Sequence, residues 1–334
     1  MTLLSMNAAH RMTTRDLPTG LGPAVDEWAG DLELTTRSGK GMRSALFDAV
    51  YTAAGGDDET VRAVACRALE LLHEAFLVHD DLADGDSERR GEPNLQGRTT
   101  ARAIAHGIGV GPAGHLGQVA GLLGGDLLLV SAMAEFARIP VPTPVLHRVL
   151  DEVQSAVVAS IAGEYADVHG TVERVPPDRE RALAIGGAKT AAYSVCLPLV
   201  AGAVLAGASD EVISTLREAG HHLGTAYQVI DDVLGVFGDP AVTGKSNEGD
   251  LIRRAPTVLL AYAATTGAWP RIAAEPDPGT ARELLREIGA REHAVGIAED
   301  LVTAARATLD SPAVPHDVRA ALGPHLAAAL ERTR

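Results

Sequence analysis

The sequence predicts an all-α fold, and three observations support this prediction. Aromatic residues make up only 3% of the 334 residues, and segments that alternate β-branched with polar residues are nearly absent. Long stretches instead carry apolar residues three and four positions apart, the spacing of one face of an α-helix. Glycine and proline clusters separate these stretches and mark helix ends. We therefore expect roughly ten or more helices.

The helical spacing defines the following segments in chain order: 60–83, 143–168, 179–206, 210–237, 250–265, 281–309 and 316–332. The intervening stop signals include GDSERRGEPN, RIPVPTP, VERVPPD, FGDPAVTGK and EPDPG. No repeat and no low-complexity linker divides the chain. We therefore predict one domain over residues 1–334, with the first 30 or so residues flexible.

Charge and composition exclude several classes of function. The formal net charge is -15 at pH 7, which argues against a nucleic-acid or anionic-membrane surface. The cysteines Cys66 and Cys196 are far apart, and the N-terminus lacks the apolar core of a signal peptide. The longest uncharged runs, 103–125 and 191–209, are interrupted by glycine, so we expect buried helices. We predict a cytoplasmic protein without stable membrane insertion.

Residues 69–91, LELLHEAFLVHDDLADGDSERRG, form an apolar helical run with an acidic end. Residues four apart on a helix differ by about 40° in rotation, so Asp80 and Asp84 project from one face with Asp81 beside them. The helix dipole disfavours carboxylates at this end. Mg²⁺ reverses the balance, because it prefers carboxylates together with substrate phosphates. A solvated acidic helix end is the alternative interpretation.

Basic residues accompany this acidic cluster. His73 lies two turns before Asp80 on nearly the same face, and Arg89 and Arg90 follow the cluster. A metal site with adjacent cationic donors is suited to a diphosphate. The sequence SGKGMR adds two candidates, Lys40 and Arg43, at or before the N-terminus of a helix. A helix N-terminus favours phosphate binding. A plain surface role for these two residues is the alternative.

A second cluster follows the same logic within residues 224–250. Gln228 lies one turn before Asp231 and Asp232, and a turn-rich segment then delivers Lys245. Two carboxylate-bearing helices suggest a cavity with acids on opposite walls and metal-bound phosphate between them. The sequence GGAKTAAY adds two candidates in a helix that is otherwise poor in charge: Lys189 and Thr190.

Together these motifs resemble the trans-isoprenyl diphosphate synthases, the polyprenyl synthetase family, and within it the short-chain bacterial members. The resemblance extends from about residue 35 to residue 260, in the family's order and spacing, through GKGMR, HEAFLVHDDLADGDSERRG, GGDLLL, GEYADV, KTAAY and YQVIDDVLGVFGDPAVTGK. It implies an all-α antiparallel helical barrel or bundle around a deep central cavity, usually as a homodimer.

The resemblance also implies a role for each candidate residue. The implied catalytic residues are Asp80, Asp84, Asp231 and Lys189. Magnesium, as three ions with substrate bound, would be held by Asp80, Asp84 and Asp231, with Asp81 and Asp232 as auxiliary acids. Isopentenyl diphosphate would be held by Lys40, Arg43, His73 and Arg90. The allylic diphosphate would be held by Arg89, Lys189, Thr190, Gln228 and Lys245.

This sequence departs from the family's pattern at several positions. Gly235 replaces a usual third aspartate, and Ala255 replaces a lysine for which Arg253 or Arg254 is a substitute. Glutamine is usual at the position of Glu164, and a basic residue is common at that of Gly41. The implied reaction is head-to-tail condensation of isopentenyl diphosphate with an allylic diphosphate, with a weakened allylic site.

Two residues bear on product length. Phe76 lies one turn before Asp80 and faces the implied cavity, whereas Ala75 is small. In the family, bulky residues four or five positions before the first motif form the cavity floor, so we expect a product of twenty carbons, with fifteen as the alternative. Phe76 as an ordinary core residue remains open. So do two other functions, a class I terpene cyclase and a non-catalytic regulatory subunit.

Overall fold

The computed structural model describes residues 17–18, 20–35, 41–173, 175, 178–239 and 247–331. The helices are α1 (Pro23–Thr35), α2 (Met42–Ala53), α3 (Glu59–Asp84), α4 (Leu95–Ala105), α5 (Val110–Ala137), α6 (Thr143–Glu173), α7 (Arg179–Gly186), a π-helix (Gly187–Cys196), α8 (Leu197–Leu205), α9 (Asp210–Phe237), α10 (Gly249–Arg253), α11 (Val258–Thr265), α12 (Trp269–Ala274), α13 (Pro278–Glu287), α14 (Ala290–Leu309) and α15 (His316–Glu331). Two short strands, β1 (Glu88–Arg89) and β2 (Glu92–Pro93), form a hairpin. The all-α prediction is confirmed.

Two of the predicted helices are wrong as continuous elements. The segment 250–265 breaks after α10, because Arg254 adopts a left-handed conformation with φ of 60°. The hydroxyl of Thr257 then caps the start of α11. The segment 281–309 breaks at Gly289, whose φ of 76° suits glycine and separates α13 from α14.

The chain divides into two compact units, and the prediction of a single domain stays a prediction. The first unit contains Asp58–Val141 and the chain up to Ala45. Its central helix is α3, which Asp58 caps by accepting hydrogen bonds from two backbone amides. The helix α5 packs closely against α3, since a Cβ atom at Gly125 would lie 2.2 Å from Nε2 of His79. The expected flexibility of the first 30 residues also stays a prediction, since residues 1–16 lie outside the described part.

The second unit contains Leu46–Asp57 and Pro142–Arg334. Its core forms where α9 packs against the π-helix and α14. Glycines permit this close approach, because a Cβ atom at Gly224 would lie 2.5 Å from Cβ of Ala191. The π-helix is an uncommon element that is frequent at functional sites. It carries Lys189 and Thr190.

Two helical stretches are long and apolar enough to cross a membrane by length and composition. They are Val110–Ala137, whose most apolar window is 44% buried, and Arg179–Leu205, whose window is 72% buried. Core helices of proteins that do not enter membranes pass the same test. The burial of the second stretch agrees with the buried helix expected over 191–209. The expectation of one buried helix over 103–125 is wrong, because α4 ends at Ala105, α5 begins at Val110 and residues 104–112 are exposed.

Replacing Gly224 by alanine is predicted to destabilise the second unit by about 1–3 kcal/mol, because the new methyl group would overlap the backbone of Ala191. Gly296→Ala is the matched control, since nothing lies within 4 Å of its Cβ position in the middle of α14. Removing that glycine should stabilise the helix by about 0.5–1 kcal/mol. Urea unfolding of both variants measures the two effects. Equal stability of the variants would contradict the packing described.

Candidate functional site

The first aspartate cluster lies at the C-terminal end of α3. Gly85 ends the helix in a left-handed conformation with φ of 72°. Arg89 contacts two of the aspartates: its Nε donates a hydrogen bond to Oδ1 of Asp81 at 2.7 Å, and its Nη2 donates one to Oδ2 of Asp80 at 2.9 Å. The charge of Arg89 therefore offsets the repulsion between the two carboxylates and their unfavourable interaction with the helix dipole.

A tight hairpin positions Arg89. Arg89 pairs with Glu92 across β1 and β2, so that Arg90 and Gly91 form a two-residue turn. Both turn residues have positive φ, 59° at Arg90 and 75° at Gly91, as in a type I′ turn. The left-handed conformation costs a non-glycine residue about 1 kcal/mol. Strained residues of this kind cluster at functional sites, and the role of Arg90 stays a prediction.

Three of the predicted basic residues lie near His73, which is only 8% exposed in the middle of α3. Burial and, after it, the positive charge of three arginines hold the pKa of His73 well below its ordinary 6.5. These arginines are Arg43, Arg89 and Arg90. His73 is therefore a neutral imidazole at neutral pH, with one N–H to donate.

Two buried glutamates of α3 were missed from the sequence. Glu70 is 5% exposed, and its Oε1 accepts hydrogen bonds from the backbone N–H of Ser44 at 3.1 Å and from its hydroxyl at 2.7 Å. Glu74 is 4% exposed. Burial, and then the charge of Glu70, raise the pKa of Glu74 from 4.5 to about 7. The only sequence signal for these residues was their position on the apolar face of the helix.

The second cluster is a hydrogen-bonded chain that joins the π-helix to α9. The hydroxyl of Thr190 donates to Oε1 of Gln228, and Nε2 of Gln228 donates to Oδ1 of Asp232 at 2.7 Å. A Cβ atom at Gly186 would lie 2.9 Å from Cγ of Gln228, so the absence of a side chain there makes room for the methylene groups of Gln228. Asp231, which precedes Asp232 on α9, is exposed.

Lys189 is held by two carboxylates of α6. Its Nζ lies 3.0 Å from Oε2 of Glu164 and 2.7 Å from Oδ2 of Asp167. Asp167 was missed from the sequence although it falls within the motif GEYADV. The helix α6 reaches the π-helix because of Gly163, where a Cβ atom would lie 2.3 Å from the backbone nitrogen of Lys189.

Asp250 takes the space that the absent side chain at Gly235 leaves. A Cβ atom at Gly235 would lie 2.5 Å from Oδ2 of Asp250. The pKa of Asp232 is raised well above 3.8 by burial first and then by the charge of Asp250, with smaller contributions from Asp167 and Asp231. Asp250 therefore belongs to the second cluster, although no motif in the sequence indicated it.

The two arginines beside Asp250 differ in their partners. Nη2 of Arg253 lies 3.0 Å from Oδ1 of Asp250. The guanidinium of Arg254 instead donates to backbone carbonyls, among them that of Glu275 at 2.7 Å. Arg253 is therefore the arginine next to the cluster, and Arg254 joins the end of α10 to the chain after α12.

The remaining predicted site residues are two lysines, two residues expected to set product length, and Asp84. Lys40 and Lys245 lie outside the described residues. Ala75 is fully buried, whereas Phe76 is half-buried and thus differs from the fully buried Phe47 and Phe136. Asp84 is half-buried in the last turn of α3.

In the part of the chain that the structure describes, no three His, Cys, Asp or Glu side chains are grouped so as to hold a metal ion.

Comparison with known proteins gives one consistent family. The sequence model of the polyprenyl synthetases matches residues 32–274. Geranylgeranyl diphosphate synthase of Mycobacterium tuberculosis is 33% identical over 250 residues, which are 74% of this chain and 65% of that protein. A (2E,6E)-farnesyl diphosphate synthase of Mycobacterium bovis is 32% identical over 229 residues, which are 69% of this chain and 58% of that protein. The chain thus spans less than two thirds of the length of these relatives.

Among solved structures, a geranylgeranyl pyrophosphate synthase of Corynebacterium glutamicum, complexed with isoprenyl diphosphate and magnesium, is similar to this chain. Its TM-score is 0.88 at 30% sequence identity, and the match covers 99% of this chain and 96% of that one. A second, putative geranylgeranyl pyrophosphate synthase of the same organism matches with a TM-score of 0.78 at 27% identity. It covers 98% of this chain and 94% of that one.

Replacing Glu74 by glutamine is predicted to change how stability depends on pH. The folded protein keeps the proton of Glu74 up to about pH 7, whereas the unfolded chain releases it near 4.5, so this group's contribution to stability falls as pH rises between these values. At pH 8 the free energy of unfolding of the variant should exceed that of the parent by about 3 kcal/mol, and near pH 4.5 the two values should agree.

Urea unfolding at pH 4.5, 6, 7 and 8 measures this difference. Glu180→Gln, at an exposed position in the first turn of α7, controls for the loss of one negative charge. Parallel stability profiles for Glu74→Gln and the parent would show that the carboxyl group of Glu74 titrates as in the unfolded chain.

Proposed function

The chain belongs to the polyprenyl synthetase family, and on that premise we propose that it is a short-chain prenyltransferase. It condenses isopentenyl diphosphate with an allylic diphosphate, and the main product is geranylgeranyl diphosphate. Similarity to geranylgeranyl diphosphate synthases supports this product. The alternative product is farnesyl diphosphate, since a farnesyl diphosphate synthase is nearly as similar in sequence.

The observation that carries this proposal is the pairing of aspartates with cations in both clusters. Arg89 binds Asp80 and Asp81, and Lys189 binds Asp167. Carboxylate oxygens are ligands that Mg²⁺ prefers, and the paired cations can bind phosphate oxygens. Each cluster therefore carries the two kinds of group that bind a diphosphate with its metal ions. Neither role is needed in a protein that only binds another polypeptide.

The carboxylates fit Mg²⁺ by their chemistry and their exposure. Asp80 retains a side-chain exposure of 22%, Asp84 is half-buried, and Asp231 is exposed. We assign Mg²⁺ binding to Asp80 and Asp84 in the first unit and to Asp231 in the second, with Asp81 and Asp232 as auxiliary acids and with three ions when substrate is bound. When bound, Mg²⁺ supplies positive charge that neutralises the departing diphosphate.

Positively charged side chains of the protein also stabilise the negative charge of the diphosphate. The cations that we assign to the allylic diphosphate are Arg89 in the first unit and Lys189 in the second, with Lys245; Arg253 takes the place of the lysine that is absent at Ala255. The C–O bond of the allylic substrate breaks, its electron pair leaves with the diphosphate, and an allylic cation remains. The alkene of isopentenyl diphosphate attacks that cation, and a proton then passes to the released diphosphate.

The basic residues around His73 support a second diphosphate site. Arg43, Arg89 and Arg90 all act on the pKa of this buried imidazole, so they lie close together in the first unit. We propose that Arg43, His73 and Arg90 bind isopentenyl diphosphate, with Lys40. A class I terpene cyclase binds a single diphosphate and has no need of this second set, which makes that function the weaker alternative.

We further propose that the protein is a homodimer. The helix α6 carries an apolar stripe at helical spacing on its exposed side, with exposures of 54–75%. Its members are Val158, Ile161, Tyr165 and Val172. Exposed apolar patches of this kind are typical of interfaces between proteins, and a second copy of the chain is the occupant that the family resemblance implies.

Mass analysis of the products tests the proposed function. The purified protein with Mg²⁺ and isopentenyl diphosphate should convert dimethylallyl, geranyl and farnesyl diphosphates into a twenty-carbon diphosphate. Asp80→Asn, which keeps the shape of the side chain, should lower turnover by about a hundredfold or more. Hydrocarbon formed from one allylic diphosphate alone would indicate a cyclase. Absence of turnover by the purified parent protein would indicate a regulatory subunit.

Phe76→Ala is predicted to lengthen the product beyond twenty carbons, because removing the half-buried ring extends the space available to the growing chain. Leu77→Ala is the matched control: it removes a similar apolar volume from the neighbouring position, about 100° around the helix. Its product length should equal that of the parent. Unchanged product length in Phe76→Ala would show that Phe76 is not the floor.

A further inference from the structure

Lys189 has two negative partners, although one would balance its charge. Its ammonium group lies 3.0 Å from Glu164 and 2.7 Å from Asp167. The three side chains are only 17–24% exposed, so solvent screens this group less than it screens an ordinary surface pair. The three groups together carry a net negative charge at the position proposed to bind an anionic diphosphate.

Backbone packing fixes this arrangement. Glu164 and Asp167 are three residues apart on α6 and therefore share one helix face. The absence of a side chain at Gly163 lets the π-helix lie directly against that face, with the backbone of Lys189 next to Gly163. The ammonium group reaches a ligand when its side chain leaves one of the two carboxylates.

The two carboxylates differ in their surroundings. Asp167 also acts on Asp232, because its charge contributes to the raised pKa of that group. Asp167 is therefore part of the aspartate cluster as well as a partner of Lys189. Glu164 lies one turn earlier on α6 and contacts the ammonium group through Oε2. Its charge opposes an approaching diphosphate and competes with that diphosphate for Lys189.

We infer that Glu164 is a positioning residue that restrains Lys189 and thereby weakens the affinity of the free protein for the allylic diphosphate. This inference rests on the proposed function. An amide at position 164 keeps the length and shape of the side chain but carries no charge, so Lys189 would be held less firmly. The repulsion between position 164 and a bound diphosphate would also be lost.

Calorimetric titration with inorganic pyrophosphate at fixed Mg²⁺ concentration tests the inference without turnover. Glu164→Gln should bind pyrophosphate about five times more tightly than the parent protein. In steady-state assays, KM for the allylic diphosphate should fall by a similar factor. Both kcat and KM for isopentenyl diphosphate should change by less than about twofold.

Glu152→Gln is the matched control on the same helix. Glu152 pairs with Arg217 through two hydrogen bonds of 2.7 Å, outside the two clusters, so this variant loses an ion pair of α6 without touching Lys189. Its pyrophosphate affinity should equal that of the parent. The gain from Glu164→Gln should also be smaller when Lys189→Gln is already present, because the part of the effect that acts through Lys189 is then absent.

The possible outcomes separate the inference from the proposed function. Tighter pyrophosphate binding by Glu164→Gln supports the inference even if no condensation product forms, in which case the proposed function fails alone. Unchanged affinity and unchanged KM in an active enzyme would overturn the inference alone. Weaker binding by Glu164→Gln would also overturn it, because the charge of Glu164 would then assist the ligand.

Discussion

The pairing of each aspartate cluster with a cation of the protein is the interaction on which the rest of the structure depends. Asp80 and Asp81 end a helix whose dipole disfavours them, and Arg89 offsets that cost. Lys189 offsets the repulsion between Asp167 and Glu164, which lie one turn apart on α6. The cations are also the residues proposed to bind diphosphate. On this proposal, diphosphate binding exchanges the partners: metal ions take the carboxylates, and phosphate oxygens take the cations.

Close backbone packing makes this pairing possible. Lys189 reaches the acids of α6 because the π-helix and α6 approach closely at Gly163, and α9 approaches the π-helix at Gly224. The π-helix between α7 and α8 presents Lys189 and Thr190 to neighbours on both sides, α6 and α9 respectively. On the first unit, a strained two-residue turn at Arg90 brings Arg89 back to the end of α3. The same backbone conformations and contacts therefore determine where the charged side chains lie.

The sequence predicted long helices well where their apolar period was regular. The segment 60–83 corresponds to α3, Glu59–Asp84, and 210–237 corresponds to α9, Asp210–Phe237. It failed at single backbone conformations: the left-handed Arg254 and Gly289 break segments whose apolar spacing continues across them. The π-helix was also missed, because its altered hydrogen-bond register leaves the amino-acid composition unchanged.

The candidate site was predictable as a set of motifs but not as a set of contacts. Spacing placed Asp80, Asp84 and Asp231 on helix faces. It did not indicate that Asp250 fills the space beside Gly235, since these residues are distant in the chain and meet only through packing. Nor did it distinguish Arg253 from Arg254, which are adjacent in sequence but have different partners.

A crystal structure of the protein with Mg²⁺ and pyrophosphate tests the exchange of partners most directly. In the free protein, Nη2 of Arg89 lies 2.9 Å from Oδ2 of Asp80, and Nζ of Lys189 lies 2.7 Å from Oδ2 of Asp167. We expect Arg89 to move beyond about 3.5 Å from Asp80 and to contact a phosphate oxygen, with Asp80 bound to Mg²⁺. Bound pyrophosphate with both ion pairs at their present lengths would contradict the account.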